Sequence, residues 1–161
     1  MIEASTVSSQ TWTYTYDPKP PSIMKLIPFI IALTAVFTSA SSALVEYDPV
    51  YDNSAASMDI VACSNGPNGL ETKGYKTFGS LPSFPYIGAA DAIEGYDSTS
   101  CGSCYKISYM NNTIYVTAID HAKNGFVISE TALTKLGGQQ AVDAGMISAS
   151  ATQVNGSYCG F

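Results

Sequence analysis

The chain has 161 residues, enough for one ordinary domain; 46% of them are hydrophobic and only 12% are charged. It contains no arginine, and its seven lysines stand against thirteen acidic residues, which gives a formal net charge of -6. A chain without a basic patch does not suit the phosphate backbone, so nucleic acid is excluded as a partner.

The N-terminal part of the chain has the pattern of an export signal. A Met-Lys pair precedes an apolar run from Leu26 to Phe37, and small residues follow as far as Ala43. A bilayer span needs about 20 apolar residues, so the shorter run favours a signal peptide over residues 24–43 rather than a membrane anchor. Residues 1–23 show no periodic pattern, and we expect them to be a non-native upstream extension, with translation starting at Met24.

Residues 44–161 are expected to form the mature, secreted domain, with no membrane partner. All four cysteines lie in this part of the chain. A domain of this size has a modest core, and disulfides that contribute about 3 kcal/mol each commonly supplement such a core outside the cell. Two N-x-S/T sequons, at Asn111 and Asn155, predict glycosylation sites compatible with the same route.

Strand signals dominate the mature domain, where turn residues recur about every ten positions, as in all-β sandwiches and barrels. A hairpin is predicted between Tyr105 and Ile119, because apolar and polar residues alternate on both sides of an Asn-Asn turn. A third strand is predicted from Ile147 to Val154. The fold class that follows is mostly β.

Helix signals are few and short. Ser129 is predicted to cap a helix from Glu130 to Leu136, which the two following glycines would end. Another helical turn is predicted from Gln139 to Ala144, before Gly145. The segment from Ala89 to Ile93 is a further helix candidate.

Two of the cysteines, Cys101 and Cys104, form a C-x-x-C. A redox pair needs its first thiolate at a helix N-terminus, but Cys104 leads into an alternating strand. A structural zinc site would need a second cysteine or histidine pair. Because Cys63 and Cys159 stand apart and the chain has a single histidine, no metal site is expected.

The remaining interpretation of the cysteines is two structural disulfides. Four cysteines allow three pairings, and spacing alone does not choose among them. We predict Cys63–Cys101 and Cys104–Cys159, which would tie both ends of the domain to the start of the hairpin. Bridges that close such long loops restrict the unfolded chain strongly.

The residue with the best claim to chemistry is Asp120. If the alternation of the second hairpin strand continues, Asp120 shares the face expected to be buried, that of Ile114, Val116 and Ala118. A carboxylate at the rim of an apolar face is partly desolvated, as in many acid catalysts. The alternative is an Asp that opens a turn and caps backbone N–H groups. His121 is expected to be an exposed loop residue.

No local motif supports catalysis. Cleavage of a glycosidic bond normally requires two carboxyl groups at a set separation, and the other acids are scattered through turns, with none paired locally to Asp120. The chain has no G-x-S-x-G, phosphate loop or H-E-x-x-H. The polar turn from Ser64 to Gly69 either presents amides to sugar hydroxyls or is a plain solvated loop.

Four segments of the mature domain resemble the cerato-platanin family. They are YDPVY (47–51), CSNGPNGL (63–70), FPYIGAADAIEGYDSTSCGSCYKI (84–107) and IYVTAIDHAKNGFVISETALTKL (114–136). The resemblance covers nearly all of residues 44–161 and keeps the four cysteines in order.

The resemblance implies a six-stranded double-psi β-barrel, similar to the first domain of expansins, with two disulfides in the pairing given above. Cerato-platanins are small secreted fungal proteins of the cell wall and culture medium. They bind N-acetylglucosamine oligomers in a shallow groove and assemble at air–water interfaces. Many elicit plant defence or necrosis, and some loosen cellulose without hydrolysing it.

The resemblance also implies a binding site. The acid of the expansin-like groove corresponds to Asp120, and the turn near that groove supplies Asn65 and Gly66 as carbohydrate contacts. Tyr96 and Tyr105 stand where family members often have Trp. The expected function is therefore non-catalytic binding of chitin-type oligosaccharides, without a cofactor and with cellulose and a plant receptor as further partners. The alternative is an inverting glucanase on the same barrel, with Asp120 as its general acid.

Overall fold

A computed structural model describes residues 15–16 and 41–161 of the chain. The chain divides into two compact units, Met1–Ala35 and Val36–Phe161, and only two residues of the first are among those described. The predicted upstream extension and most of the predicted signal peptide therefore lie outside the described residues.

Six strands form the second unit. They are β1 (Ser41–Tyr47), β2 (Ile87–Ala90), β3 (Cys104–Tyr109), β4 (Asn112–His121), β5 (Phe126–Ile128) and β6 (Met146–Val154). They close into a barrel in the order β1-β5-β2-β4-β3-β6. The pairs β1/β5 and β2/β4 are parallel and the other four are antiparallel. The six-stranded barrel expected from the sequence is confirmed.

The start of β1 lies before the expected mature N-terminus. Its first three residues, 41–43, pair with β6. If processing occurs after Ala43, the strand keeps the buried Val45 and the whole parallel pairing with β5, from Val45 to Tyr47. Closure of the barrel at β1 and β5 therefore does not depend on the residues that processing would remove.

The three predicted strands are confirmed, and three further strands, β1, β2 and β5, were not predicted. The hairpin is β3 and β4, joined at Met110 and Asn111, and the third predicted strand is β6. The helix predicted at Ala89–Ile93 is wrong, because Ala89 and Ala90 belong to β2, all of whose residues are buried. A short apolar run buried on both faces has no alternation that would distinguish a strand from a helix.

The one long helix among the described residues, α1, spans Glu130–Ala144. The Ser129 hydroxyl caps it by accepting the N–H of Ala132 at 3.0 Å, and Gly145 ends it in the left-handed conformation. Gly138, at φ 70°, breaks the helical path where the sequence predicted the end of the first helix. In the part of the chain that the structure describes, no helix is long and apolar enough to cross a membrane.

A cover layer, which we define as residues 48–86, packs on the outside of the barrel. It contains three 3-10 helices, Pro49–Asp52, Met58–Ile60 and Phe78–Ser80. Large side chains of this layer, including Phe78 and Leu70, are fully buried and belong to the same apolar cluster as the barrel interior. The layer is thus fixed by burial of apolar area, which contributes about 25 cal/mol per Å².

Both predicted disulfides are present. Cys63–Cys101 joins the cover layer to the segment before β3, and Cys104–Cys159 joins β3 to the C-terminal 3-10 helix Gly156–Cys159. Among the described residues no cysteine is free. The C-x-x-C is therefore a structural junction and not a redox pair.

Candidate functional site

Asp120 lies at the end of β4, where a bulge interrupts the strand. Gly88 pairs with Ala118, but the next residue of β2, Ala89, pairs with Asp120, so Ile119 is an extra residue. The alternation of β4 therefore does not continue to Asp120. The expectation that Asp120 shares the buried face of Ala118 is wrong, and its half-buried side chain contacts the cover layer instead.

The Asp120 carboxylate accepts three hydrogen bonds. Oδ1 accepts the backbone N–H of Ala62 at 2.9 Å and of His121 at 2.8 Å, and Oδ2 accepts the hydroxyl of Tyr51 at 3.1 Å. Hydrogen bonds to a charged acceptor are stronger than neutral ones. Asp120 thus fastens two segments of the cover layer to the end of β4. The alternative prediction is confirmed in that Asp120 accepts backbone N–H groups, but wrong in that Asp120 lies in a strand and opens no turn.

Tyr51 is the buried partner of Asp120. Its ring stacks on Phe78 with centroids 6.0 Å apart. Burial, followed by the negative charge and hydrogen bond of Asp120, raises the pKa of Tyr51 far above its usual range. The phenol therefore keeps its proton and remains a donor to Asp120 at any physiological pH.

Replacing Tyr51 with Phe is expected to reduce the loss of stability at alkaline pH. The raised pKa means that, above the unfolded value of about 10, folded Tyr51 holds a proton that the unfolded chain has released. The contribution of protonated Tyr51 to the free energy of unfolding is complete below about pH 10. As pH rises toward the folded pKa, this contribution falls by about 1.4 kcal/mol per pH unit. Urea unfolding at pH 8 and pH 11 measures the difference. Equal alkaline losses for the wild type and Tyr51→Phe would contradict this assignment.

The turn that carries Asn65 and Gly66 is anchored beside Asp120. The N–H of Cys63 donates to the carbonyl of Ile119 at 3.1 Å, and the N–H of Leu70 donates to the carbonyl of Cys63 at 2.9 Å. Asn65 is exposed, and its Oδ1 accepts the hydroxyl of Tyr96. The bulge residue of β4 and the polar turn are therefore held together by the backbone.

Glycine is required at position 66 by the backbone conformation and by a neighbouring side chain. Its φ is +91°, and a Cβ there would lie 2.7 Å from the carboxylate of Asp97. Asp97 accepts the N–H of Asn68 at 2.7 Å, and its own N–H donates to the carbonyl of Ala62 at 3.3 Å. Asp97 thus joins the polar turn to the residue whose N–H binds Asp120.

The structure therefore brings the three sequence-predicted residues onto one surface. We call it the Asp120 face and define it as Asn65, Gly66, Tyr96 and Asp120. Cavities of about 480, 580 and 600 Å³ elsewhere on the unit are lined by other residues. Asn65 and Tyr96 are exposed on the Asp120 face and Asp120 is half-buried, which suits a ligand that lies on the surface.

Sequence reasoning did not place Tyr96 in the site, although it singled out the position. Tyr96 is 65% exposed, and its ring stands beside Asn65. Tyr105, singled out with it, is buried inside the barrel edge-on to Phe126, with centroids 5.0 Å apart. Burial and then the charge of Asp91 raise the pKa of Tyr105. Of these two tyrosines, Tyr96 is the one whose ring is exposed.

The other residues of interest in the sequence are peripheral. His121 is exposed as expected, although it is the last residue of β4 rather than a loop residue, and its Nδ1 hydrogen-bonds with the carbonyl of Ile93. The sequon residues Asn111 and Asn155 are both exposed. Within residues 15–16 and 41–161, no group of three or more His, Cys, Asp and Glu side chains could hold a metal ion.

Comparison with known proteins agrees with this architecture. The cerato-platanin family model matches residues 43–161. Allergen Asp f 15 of Aspergillus fumigatus is 50% identical over 115 residues, covering 71% of this chain and 75% of the allergen. The crystal structure of cerato-platanin 3 from M. perniciosa, 48% identical, superposes with a TM-score of 0.72 over 75% of this chain and 100% of that one.

A further solved relative is described as the fungal elicitor cerato-platanin. Its solution structure is 40% identical, with a TM-score of 0.64 over 72% of this chain and 95% of that one. The matched region contains all six strands, except for the first two residues of β1. It also contains both disulfides and the whole Asp120 face. The chain belongs to the cerato-platanin family.

Proposed function

We propose that this protein is secreted, associates with the fungal cell wall and binds N-acetylglucosamine oligomers of the chitin type on the Asp120 face. The observation that carries the proposal is the convergence of β4, the polar turn and Tyr96 on one exposed surface. The exposed amide of Asn65 and the exposed hydroxyl of Tyr96 match the hydrogen-bonding groups of an acetylated sugar. The ring of Tyr96 offers a flat apolar face beside them.

Asp120 has the contacts of a positioning residue. Both of its oxygens already accept donors of the protein itself, whereas a general acid must present a proton to the glycosidic oxygen. This favours a non-hydrolytic, expansin-like protein over the alternative of an inverting glucanase. Release of reducing sugar from soluble glucan, abolished in Asp120→Asn, would reverse that preference.

Binding on such an open surface is expected to be weak. The costs of ordering the ligand and of desolvating polar groups offset most of the contact energy. A protein of this kind acts where wall polysaccharide is locally abundant, as at a fungal surface, with cellulose as a further ligand. Assembly at air–water interfaces would be a separate property of the same fold.

The biological output we propose is elicitation of plant defence, as the solved relative's description as a fungal elicitor suggests. Recognition by a plant receptor need not use the same surface as the sugar. The discriminating experiment compares Asp120→Ala with the wild type in both oligosaccharide binding and eliciting activity on leaves. Loss of both would place sugar binding upstream of elicitation, whereas loss of binding alone would assign elicitation to another surface.

Replacing Tyr96 with Ala is expected to weaken chitotetraose binding about fivefold, because it removes the exposed aromatic face. Folding should be nearly unaffected, since the side chain is largely in solvent. Isothermal titration at millimolar ligand measures the affinity. Met110→Ala is the matched control, because Met110 is also an exposed large side chain but lies in the turn before β4, away from Asp120. Equal affinities for the wild type and Tyr96→Ala would count against the Asp120 face as the site.

A further inference from the structure

An aromatic cleft lies at the end of the barrel opposite Asp120. Its volume is about 580 Å³, and the residues that matter for its chemistry are Phe84, Tyr86, Tyr115, Lys135, Ser157 and Tyr158. Tyr115 is near the start of β4 and Asp120 near its end, so at about 3.3 Å per residue the two are about 17 Å apart along the strand. The cleft is therefore separate from the Asp120 face.

Two tyrosines form a flat platform in this cleft. The rings of Tyr115 and Tyr158 are stacked, with centroids 4.9 Å apart and an angle of 13° between their planes. Tyr158 is 59% exposed, so its outer face is open to solvent. An apolar ring face of that kind binds ligands that have a flat apolar face of their own.

The platform is fixed in place before any ligand binds. The Cys104–Cys159 disulfide ties the C-terminal 3-10 helix to β3, and the side chain of Asn155 caps that helix by accepting the N–H of Ser157 at 3.0 Å. The C-terminal Phe161 packs edge-on against Tyr75, with centroids 5.5 Å apart. A rigid platform loses little conformational entropy on binding, which favours affinity.

Hydroxyl groups surround the aromatic faces. The hydroxyls of Tyr86, Tyr115, Ser157 and Tyr158 make no hydrogen bond with any other described residue. They are consequently available as donors and acceptors to a ligand. Aromatic faces combined with free hydroxyls suit a polyhydroxylated ring compound better than a purely apolar one.

A second open chamber of about 600 Å³ lies beside the cleft and shares Tyr86 and Lys135 with it. The added lining includes Thr131 and Thr134, both exposed, on the first turns of α1. The Asp52 carboxylate in this chamber is already occupied, because it accepts the N–H groups of Glu130 and Thr131. The other charged side chains of the two adjacent chambers, Lys135 and Glu130, have opposite signs, so the chambers suit an extended, neutral chain.

We propose that the aromatic cleft is a second glycan-binding site, which takes a neutral β-linked glycan chain that extends toward the adjacent chamber. The cleft itself stands independently of the Asp120 face. Combined with the function proposed above, it would allow one molecule to bridge two polysaccharide chains, and simultaneous binding at both sites would raise retention on a wall far above either affinity alone.

The test is a titration of isotope-labelled protein with chitotetraose and, separately, with cellotetraose, followed by the backbone amide signals. We expect at least one of the two sugars to shift the amides of Tyr115, Lys135 and Ser157, and Tyr158→Ala to weaken that response about fivefold or more. Tyr96→Ala, on the Asp120 face, is the matched control and should leave it unchanged. Because Tyr158 is exposed, its replacement should not impair folding.

This experiment tests binding at the aromatic cleft and binding at the Asp120 face independently. Shifts at the cleft without shifts at Ala62 and His121 would support the cleft and remove the Asp120 site. Shifts confined to Ala62 and His121, or a cleft response that Tyr158→Ala leaves intact, would overturn the proposal for the cleft. Tyr158→Phe, which keeps the ring and loses the hydroxyl, separates stacking from hydrogen bonding and should retain most of the response.

Discussion

Replacement of Cys104 and Cys159 together by alanine is expected to lower the free energy of unfolding by about 4 kcal/mol. The two residues are 55 positions apart, and removing a cross-link over a loop of that length returns that much conformational entropy to the unfolded chain. Both cysteines are also buried, so the loss of their packing adds to the effect. Urea unfolding at equilibrium measures the change, and a loss below about 1 kcal/mol would contradict the stabilising role.

The second disulfide provides the matched comparison. Cys63 and Cys101 are 38 positions apart, so their joint replacement should also cost about 4 kcal/mol. The local effects should differ, because one bridge holds the segment of Tyr158 and the other the turn of Asn65. Each variant is therefore expected to loosen the site nearest its own bridge, and amide hydrogen exchange would locate the change.

Replacement of Gly88 by alanine is expected to destabilise the barrel by about 3 kcal/mol or more, since backbone atoms have little room to yield. Gly88 lies in β2, between β4 and β5, and a Cβ there would lie 2.3 Å from the carbonyl oxygen of Val127 and 2.7 Å from Cα of Ile128. The strands β2 and β5 would have to separate. Thermal and urea unfolding would report the loss.

Gly74→Ala is the control for that substitution. No atom lies within 4 Å of a Cβ built at Gly74, and its φ is +99°. Only backbone strain opposes the change, at about 1 to 2 kcal/mol. If Gly88→Ala lowered the free energy of unfolding no more than Gly74→Ala, the close approach of β2 and β5 would not be what restricts position 88 to glycine.

The parts of the fold that the sequence predicted are those with a local cause. The β3–β4 hairpin follows from alternation around a short turn, and both ends of α1 follow from Ser129 and Gly145. The strand β2 was missed because its four residues are all buried. Closure of the barrel through the parallel pairs β1/β5 and β2/β4 depends on distant segments, which no local pattern encodes.

The candidate site also has a part that the sequence predicted and a part that it did not. Asp120 was singled out from the alternation of β4 and again through the family resemblance, whereas Asn65 and Gly66 were named through the resemblance alone. Backbone contacts hold the polar turn beside the end of β4. The error about the face of Asp120 came from a bulge, since one extra residue in a strand reverses the side that all later residues occupy. The role of Tyr96 depends on a contact with Asn65 across 31 positions, which sequence periodicity does not reveal.

The central claim, that the Asp120 face binds chitin-type oligosaccharides, is tested most directly by residue-resolved titration with chitotetraose. The amides of Ala62 and His121, which donate to the Asp120 carboxylate, and those of Asn65, Gly66 and Tyr96 are the reporters. We predict concentration-dependent shifts at these amides at millimolar ligand, reduced in Tyr96→Ala and unchanged in Met110→Ala. Saturating ligand that leaves all five amides unshifted would contradict the account.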